Sequence, residues 1–307
     1  EYAQAYPDKE QWLQLSGAET VVGWPLMSGE IPIGSLLLVW SEPQRLDTAQ
    51  LAYISAVATM VSQALVRARI YVDAYARASV LHSAAHPHEL IDAAGLDYRA
   101  LYRPAEAAHG LGGDWYSVMS LPEGRTYLSV GDVIGHGLMA VEDMAQLRSA
   151  GNAYAYQGLS PRQVLTQMNR YAATQIQGEF ASNFVAVFDP DTHSLSYGSA
   201  GHLPALLRRA EGDVVRLSDA QGTLLGPFSD AVYIEKTVAV GPDDVLVIYT
   251  DGLVEHLDET LEEGIAHLER VVAVWPPESL LDLQSLAAAV APSPHADDLV
   301  ILVVRFD

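Results

Sequence analysis

The stretch Thr126-Tyr127-Leu128-Ser129-Val130-Gly131-Asp132-Val133-Ile134-Gly135-His136-Gly137 sets an apolar run against a glycine-loosened loop, with one aspartate at the join. Thr126–Val130 has the β-branched and aromatic texture of a strand. Gly131, Gly135 and Gly137 free the backbone that follows, and a helix is predicted from Leu138 to about Ala150. An aspartate leaving a strand end in such a loop can reach a cation or a phosphate. The same pair of residues also makes an ordinary turn.

Outward from this stretch the arrangement recurs. Gly112-Gly113-Asp114-Trp115-Tyr116 follows His109-Gly110-Leu111, and the two glycines let the chain turn tightly and put Asp114 at the start of a strand. Val245–Tyr249 is a nearly continuous apolar strand ended by Thr250-Asp251-Gly252, and Asp297-Asp298 directly precedes another, Leu299–Val304. Two adjacent carboxylates entering a buried strand are costly unless paired or bound to a metal. Asp114, Asp132, Asp251 and Asp297 therefore stand at strand ends. Oxygen donors in a chain without cysteine suit a hard cation, Mg²⁺ or Mn²⁺. Two such ions about 3.5–4 Å apart can activate a water and clamp a phosphoryl oxygen. Without ions, clustered carboxylates would repel a phosphate dianion.

Composition bounds the rest. The chain has 307 residues, 17 Lys+Arg, 39 Asp+Glu and no Cys, and it is half hydrophobic. That length allows one large domain or two ordinary ones, each with a core. The absence of cysteine excludes disulfide scaffolds, thiol nucleophiles and thiolate zinc sites, and it fits a cytoplasmic setting. The net charge of −22 disfavours nucleic acid and anionic membrane as partners. The charge is uneven: residues 1–86 carry eight acids and five bases, net −3, and residues 87–307 carry 31 and 12, net −19. No segment reads as apolar enough to span a membrane, the densest run being Ile33–Trp40. Glu1 rather than Met opens the chain, as expected for a piece of a longer protein.

The N-terminal part reads as strands over Glu19–Pro25 and Ile31–Trp40, with a turn at Ser28-Gly29-Glu30. Asp47 caps a helix, with Gln50 three residues on as in a capping box. Ile54, Ala58, Val61, Leu65, Ala68, Val72 and Tyr75 recur in alternating steps of 4 and 3, a heptad seam, and the helix runs to about His86. A partner helix accounts for the seam. Two shorter helices, each packed on its own domain, account for it as well. Val22–Leu26, Ile33–Leu36 and the Asp47–Arg69 helix resemble the C-terminal half of a GAF domain followed by its output helix.

The remainder resembles the SpoIIE-type PPM phosphatases, bacterial metal-dependent serine/threonine phosphatases. The resemblance is carried, in the family's order, by Gly112–Val118, Val130–Gly137, Ser199–Pro204, Leu225-Gly226, Tyr249–Glu255 and Asp297-Asp298. Tyr102–Ala105 looks like the family's entry strand, and Gln157–Ala173 like its second core helix, with Asn169 where the family often has Asn. It implies an α+β fold, a PPM-type sandwich of two antiparallel β-sheets flanked by helices. The implied organisation is a partial GAF-like sensor at 1–66, a helical linker or switch segment at 67–94, coiled-coil-like, and a phosphatase domain at 95–307.

The same resemblance implies roles. Asp132 bridges two Mn²⁺ or Mg²⁺ ions with the Val133 carbonyl beside it. Asp251 and Asp297 complete the first ion, Asp114 lies on the second ion's side, and His136 assists the leaving group. The implied substrate is a phosphorylated STAS-type protein, an anti-sigma-factor antagonist in a partner-switching pathway. The implied assembly is a homodimer through the linker helix, which transmits the sensor's state. Ser117, Ile134, Val141-Glu142, Ala186 and Val300 depart from the family's usual residues. The departures keep a second class open, a catalytically weak or inactive PPM-like regulatory binding module.

Other features have plainer readings. His202 reads as a satisfied surface histidine in a hairpin turn. His82, His86 and His88 lack the spacing of a helical metal pair. Arg208-Arg209 reads as a solvated strand end, Glu259–Glu269 as a solvated acidic face, and Trp115 as sandwich core.

Overall fold

The computed structural model describes residues 18–85, 95–104, 112–135, 137–176, 180–255, 259–276, 282–291 and 297–307. The chain divides into two compact units, Glu1–Ala76 and Arg77–Asp307.

In the first unit, β1 (Thr20–Ser28) and β2 (Ile31–Trp40) form an antiparallel hairpin, and Gly29 turns it at a φ of 60°. The helix α1 (Thr48–Ala85) starts on the expected capping box. The Gln50 amide donates to Asp47 Oδ1 at 2.8 Å, and the Asp47 amide to Gln50 Oε1 at 2.9 Å. The helix buries Ile54, Ala58 and Ser62. The Ser62 hydroxyl accepts from the Met27 amide at 3.0 Å and donates to the Ala58 carbonyl at 2.7 Å, so this row lies along β1. The expected seam leaves this row at Val61, beside the buried Ser62, and its next member Leu65 is 46% exposed. The reason is geometric: every fourth residue of a helix stays on one side for two turns, and among the described residues the hairpin covers no more than that. The side chains of Val72 and Tyr75, and the residues His86 and His88, lie outside the described residues.

One expectation is corrected here. The stretch Thr48–Ile70 is long and apolar enough, by length and composition, to cross a membrane. Dense runs of Val, Ile and Leu do not mark this stretch, because the helix is Ala-rich; its charged residues are Arg67 and Arg69.

The second unit is a sandwich. One sheet has the strand order β10-β7-β6-β5-β4, with β11 also on β7; the other has the order β3-β13-β12-β8-β9. In the first sheet are β4 (Trp115–Ser120), β5 (Thr126–Val133), β6 (Ala181–Asp189), β7 (Ser194–Ala200), β10 (Gln221–Gly222) and β11 (Lys236–Ala239). In the second are β3 (Leu96–Arg103), β8 (Ala205–Arg208), β9 (Val214–Leu217), β12 (Val245–Tyr249) and β13 (Leu299–Phe306). The period of two sorts each strand's side chains onto two faces. Val300, Leu302, Val304 and Phe306 meet Val118, Leu128, Val130, Phe184 and Phe188 between the sheets. Leu299, Ile301 and Val303 turn outward onto α4 (Leu261–Val274) and α5 (Leu283–Val290). Trp115, Tyr127 and Val185 turn outward from the first sheet onto α2 (Leu138–Tyr156) and α3 (Pro161–Gln175). Strands buried on both faces read as unbroken apolar runs, and β12 and β13 do so.

The structure corrects the setting of Asp132. The β5–β6 ladder continues past Val130 through Asp132↔Ser182 and Val133↔Ala181, so Asp132 lies inside a strand. Gly131 makes this possible, because a Cβ there would overlap the Trp115 ring and lie 2.7 Å from the Ser182 carbonyl oxygen. We expect Gly131→Ala to destabilise the fold by about 1–3 kcal/mol through overpacking. A thermal melt within about 1 °C of wild type would contradict this packing.

Candidate functional site

The four expected aspartates come from four separate strand ends of the second unit. Asp114 immediately precedes β4, Asp132 is the next-to-last residue of β5, Asp251 lies two residues past the end of β12, and Asp297 two residues before the start of β13. Their charges act on one another. Burial, followed by the charge of Asp132, raises the Asp114 carboxyl well above its ordinary value, and Asp298 and Asp251 add to this. Burial and the charge of Asp251 push Asp132 up to about 7, and burial and the charge of Asp297 push Asp251 up to about 6. Each of these groups is easier to protonate than a free aspartate because its neighbours are anions in a medium of low polarity.

Asp298 is a fifth member. It is 3% exposed and accepts from the Tyr102 hydroxyl at 3.2 Å, and its charge raises both Asp114 and Asp132. Burial and this same anion push the Tyr102 hydroxyl far up, so it stays protonated and donates. Strand parity carries the signal for Asp298. It shares a face with Val300, Leu302 and Val304, which point between the sheets. Thr250 adds a bridge: its hydroxyl oxygen accepts from the Val300 amide at 2.9 Å, and its side chain also bonds Asp114.

The glycines leave room for this cluster, for a reason other than the expected tight turn. A Cβ on Gly112 would overlap the Asp298 carboxylate, one on Gly252 the Asp298 carbonyl, and one on Gly113 the Val133 carbonyl. Neither Gly112 nor Gly113 has a positive φ. Close approach selects glycine at these positions. The Val133 amide donates to the Gly113 carbonyl at 3.2 Å, which ties the Asp132 strand to the Asp114 loop. His136 lies outside the described residues.

These residues suit a hard cation by donor type and by one orphaned atom. Asp114 Oδ2 is buried with no hydrogen-bond partner, a costly state that a cation relieves. Among the described residues, no three His, Cys, Asp or Glu side chains already stand at metal-ligand spacing. A groove of about 690 Å³ lies elsewhere, in the first unit, lined by Trp24, Met27, Ser62 and Arg67 among others. Its lining contains no carboxylate.

Three plainer readings are corrected by packing. His202 is 4% exposed, and Arg208 is 7% exposed with its Nε donating to the Val272 carbonyl at 3.1 Å. Arg209 pairs with Asp244 at 2.7 Å, and Arg216 pairs with Glu262 and Glu269, so that part of the acidic face is neutralised. Trp115 is fully buried, as core.

The profile of the family described as Stage II sporulation protein E (SpoIIE) matches residues 122–307. The phosphoserine phosphatase RsbU of Bacillus subtilis (strain 168) is 27% identical over 222 residues, which cover 68% of this chain and 63% of that protein. The solved RsbU and RsbW domains of Rv1364c from Mycobacterium tuberculosis match with a TM-score of 0.61 and 27% identity, covering 69% of this chain and 60% of that one. RsbX, solved in complex with magnesium, matches with a TM-score of 0.57 and 15% identity over 71% of this chain and 99% of that one, a likeness of fold. The chain thus spans less than two thirds of the RsbU protein and of the mycobacterial chain.

The electrostatics give a pH test. A carboxyl raised from 3.8 to about 7 in the folded state binds its proton more tightly there than in the unfolded chain. Its stabilising contribution is full below the unfolded value and is lost as pH rises through about 7. With chelator present, the melting temperature of wild type relative to Asp132→Asn should therefore fall between about pH 4 and about pH 7. Added Mn²⁺ should raise the wild-type melting temperature at about pH 8. A pH-independent difference between the two proteins would contradict the cluster's mutual repulsion.

Proposed function

Because the chain belongs to the SpoIIE family, we propose that it is a metal-dependent protein serine/threonine phosphatase acting on a phosphoserine or phosphothreonine protein. The observation that carries the reading is the convergence of Asp114, Asp132, Asp251, Asp297 and Asp298 on one another's charge at the ends of separate strands. Asp114, Asp132, Asp251, Asp297 and the Val133 carbonyl would hold the cation. Mn²⁺ or Mg²⁺, when bound, supplies Lewis acidity toward a phosphoryl oxygen and lowers the pKa of water. The protein's own groups hold that site open. Tyr102 and Thr250 bind Asp298 and Asp114 by hydrogen bonds, and the glycines admit them. His136 is the proposed proton donor to the leaving group.

The finer reading is a STAS-type phosphoprotein substrate in a partner-switching pathway, in the cytoplasm. The name of the RsbU relative supports the phosphoserine class, and the joining of RsbU and RsbW domains in one mycobacterial chain supports the pathway. Regulation by a GAF-like sensor at 1–66 through a linker at 67–94 is part of the same proposal, with the phosphatase domain at 95–307. It rests on the continuity of α1 across the boundary between the units. A homodimer through this helix is supported by exposed Met60, Leu65 and Ile70.

A second reading, a regulatory binding module without turnover, is favoured by the absence of three side chains at metal-ligand spacing among the described residues. The departures from the family pattern give it less support. Ser117, Ala186 and Val300 are buried, and the Ser117 hydroxyl accepts from Arg148 Nε at 3.1 Å.

Hydrolysis of an aryl phosphate separates the readings. We expect a Mn²⁺-dependent rate that chelator abolishes. In Asp132→Asn and Asp251→Asn, kcat should fall by about 10²–10³-fold, the several kcal/mol that a metal's charge stabilisation supplies. No metal-dependent rate in the wild type, or an undiminished rate in Asp132→Asn, would contradict the enzyme.

A further inference from the structure

We infer that His202, together with Ser182, is a positioning pair that pins the Asp251 strand end to the Asp132 strand end and so sets the spacing of the cation-binding carboxylates. This rests on the metal site proposed above. The two aspartates belong to different sheets, Asp132 to β5 and Asp251 to the end of β12. Nothing in either ladder fixes the distance between them, because hydrogen-bonded strands fix only neighbours within their own sheet.

His202 crosses that gap. Its Nδ1 is 2.7 Å from the Ser182 hydroxyl, and its Nε2 is 3.1 Å from the Tyr249 carbonyl. Ser182 is the ladder partner of Asp132 on β6, and Tyr249 is the last residue of β12, two before Asp251. The imidazole thus spans from the residue beside one carboxylate to the strand end that launches the other. The Asp251 charge is also the largest charge acting on Asp132, so the pinned pair are electrostatic neighbours.

The chemistry fixes the tautomer. A carbonyl can only accept, so Nε2 carries the hydrogen, and Nδ1 accepts from the Ser182 hydroxyl. Burial lowers the imidazole's affinity for a second proton to about 4, so the ring stays neutral over the working range. The ring's own backbone is held on several sides. The Ser199 hydroxyl accepts from the His202 amide and donates to its carbonyl, both at 3.2 Å, and Gln221 Nε2 donates to that carbonyl at 2.9 Å. Gly201, at a φ of 65°, turns the chain into this position. A ring so anchored can transmit position from one sheet to the other. Removing the pin would leave both carboxylates present while loosening their separation.

The test is direct Mn²⁺ binding to the full chain, read from the electron paramagnetic resonance signal of free Mn²⁺. Ser182→Ala and His202→Phe should each weaken binding by about 10-fold or more, the scale on which groups behind metal ligands act. Ser182→Thr, which keeps the hydroxyl, should bind as wild type does. The double variant should bind no more weakly than the weaker single variant, as expected for residues acting as one unit. Ser182→Ala and Ser182→Thr guard against the failure of His202→Phe to fold, and circular dichroism checks each protein at the temperature of binding. Wild-type affinity in folded Ser182→Ala would overturn the pin, and so would a loss in Ser182→Thr equal to that in Ser182→Ala. If wild type binds Mn²⁺ and Asp132→Asn does not, the metal site stands whatever the pin variants do. If wild type binds none, the metal site fails and the pin with it.

Discussion

Carboxylates gathered in a poorly polar place repel one another, and the second unit is built around that cost. Asp114 and Asp298 are each 3% exposed, and each lies within reach of the other's charge. An isolated buried charge costs several kcal/mol even after relaxation. Part of the cost is met by donors, Tyr102 to Asp298 and Thr250 to Asp114. Part is met by protons, which is the meaning of the raised Asp132 and Asp251. Asp114 is raised as well, and its Oδ2 has no hydrogen-bond partner. In the proposed site, a bound cation would offset these charges and make the cluster favourable to phosphate.

The sandwich is what makes the arrangement tolerable. Each sheet has a helix-covered outer face with its own apolar cluster, and a third cluster lies between the sheets. The strands can therefore be apolar from end to end and keep their aspartates for the termini. Glycines at 113 and 252 bring backbone against backbone where those termini meet, and Gly112 admits the Asp298 carboxylate. His202 and Asn169 extend the same logic. Asn169, fully buried, donates to the Phe228 carbonyl at 2.7 Å and accepts from the Gly226 amide at 2.8 Å, which holds the Leu225–Phe228 loop to α3.

Much of this was legible in the sequence, and the misses have physical causes. The strand Val245–Tyr249 is legible with its observed ends, and Leu299–Val304 is legible as the start of β13. Continuous apolar texture bounded by polar residues is a strong signal. The short β10 and β11 were missed, since they are held by pairing with β7 and not by texture of their own. The four aspartates were legible because a carboxylate beside a buried strand is conspicuous. Asp298 was passed over as a neighbour of Asp297, although its parity points it between the sheets. His202 was read as a surface residue because its partners, Ser182 and Tyr249, are 20 and 47 residues away. Long-range hydrogen bonds leave no local pattern. The N-terminal seam was read from spacing alone, and the hairpin beneath α1 selects the Ile54–Ala58–Ser62 row.

The central claim is that the strand-end aspartates form a cation site. Crystals grown with Mn²⁺ and measured at the manganese absorption edge test it most directly. Anomalous density among Asp114, Asp132, Asp251 and Asp297 is the expected result. Density confined to other surfaces, or none with Mn²⁺ present at saturating concentration, would contradict the account.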